Sequence, residues 1–167
     1  MRPDGLHRRH PAFPRRFAAS AFRRTSVVVL ASEFHPRLAR RLVDGAVTAL
    51  RRHGIPDARI RVIQVPGAFE LPVVAARVAA SRAKPDAIIA LGALIRGQTP
   101  QYAILAQAVA QGLTQVAVSR RIPVTFGLVV AETLSQARAR AGGARGNRGE
   151  EAALAALAVL KLLRRVT

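Results

Sequence analysis

The apolar positions of this chain change period along its length, and the changes mark out its elements. Residues 26–31, Ser-Val-Val-Val-Leu-Ala, are a short β-branched run that predicts a strand buried on both faces. Over 36–53 the period lengthens. Leu38, Leu42, Ala46 and Leu50 recur at every fourth position, while Arg37, Arg40, Arg41, Arg51 and Arg52 fall elsewhere around the cylinder. That spacing predicts an amphipathic helix, stopped by Gly54 and Pro56. The alternation continues with strands at 59–65, 87–95 and 123–130 and helices at 70–81, 99–121, 133–140 and 148–165. The last helix carries Glu150 and Glu151 at its positive end and Lys161, Arg164 and Arg165 at its negative end, which suits its dipole.

Four strands separated by helices predict an α/β domain: a three-layer α/β/α sandwich around a four-stranded parallel sheet, flavodoxin-like, with right-handed crossovers. Ligands of such sheets gather beyond the carboxyl ends of the strands. The residues to inspect are therefore 32–35, 66–70, 96–101 and the positions following Phe126.

The second of these rims, within Ile63-Gln64-Val65-Pro66-Gly67-Ala68-Phe69-Glu70-Leu71-Pro72, runs from an apolar strand through a Pro-Gly turn into a helix. Gly67 can take dihedrals that a side chain forbids and lets backbone approach a ligand. Glu70 then falls in the first helical turn, facing the rim. A packing turn with a capping Glu would use the same residues. The third rim, Ile95-Arg96-Gly97-Gln98-Thr99-Pro100-Gln101-Tyr102, has the makings of an anion site. Thr99 is placed to cap the long helix, Pro100 suits its first position, and the helix directs free N–H groups at the rim. A ligand-free cap fits too. The glycine spacing is that of neither a dinucleotide fingerprint nor a P-loop.

At 167 residues, with half of them apolar, the chain is long enough for one domain with its own core. The lack of Cys excludes disulfides, thiolate metal sites and cysteine nucleophiles, and it suits a reducing, cytoplasmic setting. No apolar run reaches the roughly 18 to 20 residues of a membrane span. Lys and Arg number 27 against 9 Asp and Glu, a formal charge of +18 that favours phosphate-bearing partners. Much of it lies in residues 1–25, where Arg2, Arg8, Arg9, Arg15, Arg16, Arg23 and Arg24 face Asp4 alone and Pro3, Pro11 and Pro14 interrupt any helix. This segment is expected to be a disordered basic arm with non-specific affinity for polyanions, leaving 26–167 as the folded domain. An organelle transit peptide, or a start codon assigned too early, would give the same composition. His7 and His10 form an H-x-x-H pair without further ligands, so no metal is expected.

Taken in order, Val65-Pro66-Gly67-Ala68-Phe69-Glu70-Leu71-Pro72, Ala90-Leu91-Gly92-Ala93-Leu94-Ile95-Arg96-Gly97-Gln98-Thr99-Pro100, Pro123-Val124-Thr125-Phe126-Gly127, Arg140-Ala141-Gly142 and Gly146-Asn147-Arg148-Gly149-Glu150-Glu151-Ala152-Ala153 resemble the 6,7-dimethyl-8-ribityllumazine synthase family. The resemblance covers about 26–166. It implies a transferase of riboflavin biosynthesis that condenses 5-amino-6-ribitylaminouracil with 3,4-dihydroxy-2-butanone 4-phosphate and needs no cofactor. It also implies roles. Phe34 would stack on the pyrimidine, Ala68, Phe69 and Glu70 would hold the ring and ribityl chain, and Leu94 and Ile95 would present backbone beside the ring. Gln98, Thr99 and Arg140 would bind the phosphate. Phe126 would reach the site from a neighbouring subunit, because the family forms pentamers, some of them closed into icosahedral shells of sixty copies. The catalytic positions correspond to Gln101, Arg148 and Glu151. One departure stands out: the family's usual proton-transferring His is replaced here by Gln101, which cannot exchange a proton near neutral pH. His35 is the candidate substitute. The alternative function is a non-catalytic ligand-binding or shell-forming scaffold. A nucleic-acid-binding module is less well supported, since aromatic residues make up only 4% of the chain and no reader motif is present.

Overall fold

A computed structural model describes residues 19–166. Its main sheet contains β1 (Val27–Ser32), β2 (Ile60–Val65), β3 (Ala87–Ile95) and β4 (Val124–Ala131), all parallel and ordered β2-β1-β3-β4. This is the order of a doubly wound sheet whose chain reverses direction between β1 and β3. Central β1 is buried throughout, as its unbroken apolar run predicts, whereas edge strand β2 is largely open to solvent and buries only Val65.

Helices cover both faces. α1 (Pro36–Arg52) and α5 (Arg148–Val166) pack on one side, where Leu38, Leu42, Leu50, Leu157 and Leu160 meet Val27, Val29, Ile89 and Leu91. α2 (Leu71–Ala79) and α3 (Gln101–Arg120) pack on the other, where Leu71, Val109 and Leu113 meet Leu30, Ile88 and Leu94. Each buried Leu removes enough apolar surface from water to contribute about 1.5–3 kcal/mol. The predicted stripe of α1 is the buried one, joined by Ala39 and Ala49. After β4 the chain forms α4 (Leu134–Arg140), then a small antiparallel ribbon of β5 (Ala141–Gly143) and β6 (Gly146–Asn147), then α5. The expected three-layer α/β/α architecture is present.

The folded region begins earlier than residue 26. Ala19–Phe22 forms a 3-10 turn, Phe22 is 1% exposed within the α1–α5 core, and Thr25 is buried. Phe22 and Thr25 therefore anchor this stretch to the domain. Residues 1–18, with His7 and His10, lie outside the described residues. Among the described residues no helix is long and apolar enough to cross a membrane.

Candidate active site

Three strand ends converge at the point where the sheet reverses direction. Phe34 leaves β1 in the turn before α1 and is 75% exposed, its ring edge-on to His35 with centroids 5.1 Å apart. An aromatic side chain of that size left in solvent is not a core residue and has a flat face to offer.

The β2 rim differs in detail from the expectation. Gly67 does not adopt a left-handed conformation. Its missing side chain matters for space: a Cβ there would lie 2.5 Å from Oε2 of Glu70. Glu70 is the residue before α2 rather than part of its first turn, and its carboxylate caps no backbone N–H. The carboxylate therefore remains exposed over the turn. Ala68 turns its side chain into the core, so only its backbone faces the rim, whereas Phe69 is 61% exposed.

At the β3 rim, Leu94 is buried and Ile95 half-buried, and the following backbone is tied to β4 by a 2.9 Å bond from Arg96 N–H to the Ala131 carbonyl. Thr99 does not cap α3. The cap position belongs to Pro100, with no side-chain bond, and Gln101 opens the helix. Helix geometry explains the shift, because Pro100 cannot donate and sits where no donor is required. Gln98, Thr99 and Gln101 consequently stand exposed at the positive end of a 20-residue helix.

A second group of candidate residues is built by the β5–β6 ribbon. Gly142 (φ 85°) and Gly146 (φ 81°) take left-handed conformations that turn the chain back on itself. Arg140 at the end of α4 and Arg148 at the start of α5 thereby meet one carboxylate. Arg140 donates to Glu151 through Nη1 at 3.0 Å and Nη2 at 2.8 Å, and through Nη1 to the Arg145 carbonyl at 2.8 Å. Arg148 donates to Glu151 at 3.1 Å and to the Phe126 carbonyl at 3.4 Å. Asn147, which the sequence reading passed over, secures this corner. Its Oδ1 accepts from Gly149 N–H at 2.8 Å and Glu150 N–H at 3.3 Å, while Nδ2 donates to the Arg41 carbonyl at 2.8 Å. The signal was present as Asn147 followed three residues later by Glu150, the spacing of a helix start.

The two groups are separate within one chain. Phe126 pairs with Ala90, whereas the rim lies at Ile95 opposite Ala131. Five residues at the parallel-strand rise place Phe126 about 17 Å below the rim. The positions after Phe126 are therefore mid-strand, and the fourth carboxyl end follows Ala131. Among the described residues no hydrogen bond or ion pair joins Phe126, Arg140, Arg148 or Glu151 to Phe34, Glu70, Gln98, Thr99 or Gln101. No group of three or more His, Cys, Asp or Glu side chains able to hold a metal occurs among the described residues.

Residues 24–164 match the sequence profile of 6,7-dimethyl-8-ribityllumazine synthase. Proteins of that name are 45% identical in Chlorobium phaeobacteroides, over 71% of this chain and 76% of the relative, and 39% identical in Leuconostoc mesenteroides, over 72% and 76%. The chain belongs to the 6,7-dimethyl-8-ribityllumazine synthase family. It is thus an enzyme of the transferase class, from a family that serves riboflavin biosynthesis. At the rim Gln101 has no titratable group, while His35 lies against Phe34 with the two rings nearly perpendicular.

Proposed function

We propose that the protein condenses 5-amino-6-ribitylaminouracil with 3,4-dihydroxy-2-butanone 4-phosphate, in a site completed by an adjacent copy of itself. The observation that supports this most is the division into two incomplete halves. One half offers an exposed aromatic face, a free carboxylate and a helix start; the other offers two guanidiniums on one carboxylate. Phe34 stacks on the uracil, Glu70 accepts hydrogen bonds from ribityl hydroxyls, and the backbone of Ala68, Leu94 and Ile95 lines the ring. Gln98 and Thr99 meet the phosphate from one subunit while Arg140 clasps it from the next, with Phe126 at the junction. The pentamer of this family is the assembly that brings the halves together, and shells of such pentamers are compatible with it. α3 supports close packing of copies, since Ile104 (62%) and Val118 (73%) are exposed on a helix that buries only Val109, Leu113 and Val116.

The 5-amino nitrogen attacks the ketone and water leaves as an imine forms. Phosphate is eliminated next, and the ribitylamino nitrogen closes the second ring with loss of another water. Glu151 fixes Arg140 and Arg148 so that the leaving phosphate stays neutralised. With Gln101 in place, protons pass through water, the phosphate and the substrate amine. Positioning dominates, because acid–base help supplies about 10²–10⁴-fold whereas holding two reactants together supplies more.

Gln101 also favours a second reading, a scaffold that binds the ligands without turnover. Incubating the purified protein with both substrates and following lumazine fluorescence decides between them. Product formation supports the enzyme, and binding without product supports the scaffold. The basic segment 1–25 is proposed to add non-specific polyanion affinity, tested by the absorbance ratio of protein purified at low salt with and without residues 1–18, a deletion that spares the buried Phe22 and Thr25.

A further inference from the structure

The first turn of α1 carries charge in an arrangement that works against the helix. Arg37 lies at the positive end of the dipole, where an acid is favoured, and the first turn holds no acidic residue. Arg41 follows at i+4, so two like charges share one face and work against the helix rather than helping it. Across from them Arg138 projects from α4. Together with His35, Pro36, Leu38 and Leu134, these arginines line a cleft of about 580 Å³ with no carboxylate in its wall. Five arginines elsewhere are ion-paired, Arg51 with Asp57, Arg52 with Glu150, Arg96 with Glu132, and Arg140 and Arg148 with Glu151, whereas many others among the described residues of this basic surface are not; what sets this cleft apart is that three guanidiniums line one cavity. Among the described residues the guanidiniums of Arg37, Arg41 and Arg138 have neither an ion pair nor a hydrogen bond.

We propose that this cleft between α1 and α4 is a second anion site, taking a small molecule with two linked phosphate groups. The volume exceeds what one phosphate fills and falls in the range of small-molecule sites. Guanidinium forks suit phosphate oxygens because each offers two parallel donors. Three of them from two helices match two adjacent phosphates better than one. Leu38 and Leu134 give the floor an apolar surface on which the organic part of an ester rests. The cleft adjoins the rim proposed for the substrates at His35, but Ala68, Glu70, Gln98 and Thr99 do not line it.

The test is calorimetric titration of the full-length protein at low salt with pyrophosphate, with orthophosphate and a single-stranded oligonucleotide as parallel arms. Pyrophosphate is expected to bind one site per chain at least about tenfold more tightly than orthophosphate. The doubly substituted R37Q/R138Q protein should lose at least about tenfold of that affinity, and R37K/R138K, which keeps charge but not the fork, should fall between. Arg140→Gln, which alters the proposed substrate phosphate site, should leave pyrophosphate binding in place. Because no turnover is measured, the result is independent of whether lumazine forms. Unchanged affinity in R37Q/R138Q overturns the proposal, as does loss in Arg140→Gln instead. So does an oligonucleotide that binds where pyrophosphate does not, which would make the charge a nucleic-acid surface.

Discussion

Arg140 grips Glu151 with both terminal nitrogens, at 3.0 and 2.8 Å, and the same carboxylate takes a third bond from Arg148 at 3.1 Å. The side chains are each more than a third exposed, so solvent screens the pair and its share of stability is about 0–1 kcal/mol. Its value is geometric. Glu151→Gln should leave the unfolding midpoint nearly unchanged while kcat/KM falls about 10–100-fold, the penalty of a guanidinium displaced by an ångström or so. A loss of thermal stability that matches the loss of rate would mean that Glu151 holds the fold rather than the site.

Gln101 opens α3 at the rim and cannot move a proton, so kcat/KM should show no limb near the ordinary His value of about 6.5. Gln101→His should introduce that limb and raise kcat at least about tenfold, within the 10²–10⁴-fold range of acid–base help, with little change in KM. A limb in the unmodified enzyme that disappears in His35→Ala would instead give the proton to His35.

What could be read from residues alone depended on whether a physical period recorded it. β1, β3 and α1 were legible because burial on two faces or one stripe repeats over many residues. The rim after β4 is not at the positions following Phe126, because Gly127 continues the strand, paired with Leu91. A glycine there serves packing: a Cβ would come 2.9 Å from the Ala152 side chain on α5. The β5–β6 ribbon is too short to show a period, yet it is what turns Arg140 and Arg148 toward one acid. Phe22 carried no local signal either, since its partners belong to the far end of the chain. The separation of the site into halves was legible only through the family resemblance, which assigns Phe126 to a neighbouring subunit.

Gly149 marks the closest approach of α5 to α1. A Cβ on it would fall onto the Leu42 carbonyl, a backbone atom that cannot swing aside. Alanine inside a helix is ordinarily better than glycine by about 1 kcal/mol. Here Gly149→Ala should destabilise by about 1–3 kcal/mol, because the two helices must part. Urea unfolding should show a lower midpoint with an unchanged slope. A neutral or stabilising outcome would mean that α1 and α5 pack less tightly than this contact implies.

Arg164 fastens the start of the folded chain to its last helix. Its guanidinium donates to the Ala21 carbonyl and, at 2.7 Å, to the Thr25 hydroxyl, and it lies 5.2 Å from the centre of the Phe22 ring. Thr25 and Phe22 are each 1% exposed, so removing the cation leaves a buried hydroxyl short of a donor and takes this guanidinium from the ring. The hydroxyl costs about 1–3 kcal/mol and the ring contact about 0.5–1 kcal/mol, of which some is recovered as water enters. Arg164→Ala should therefore loosen residues 19–25 before it unfolds the sheet. Arg23 and Arg24 are exposed and are natural trypsin sites, so brief digestion followed by mass measurement reads the opening directly. Cleavage after Arg23 or Arg24 should speed up at least about fivefold, as expected when roughly 1 kcal/mol of local stability is lost. Arg165→Ala, one residue on and exposed, should leave the rate unchanged, and Arg164→Lys should fall between because an ammonium keeps the charge but not the fork. Equal cleavage in Arg164→Ala and Arg165→Ala would show that Phe22 burial alone holds the segment.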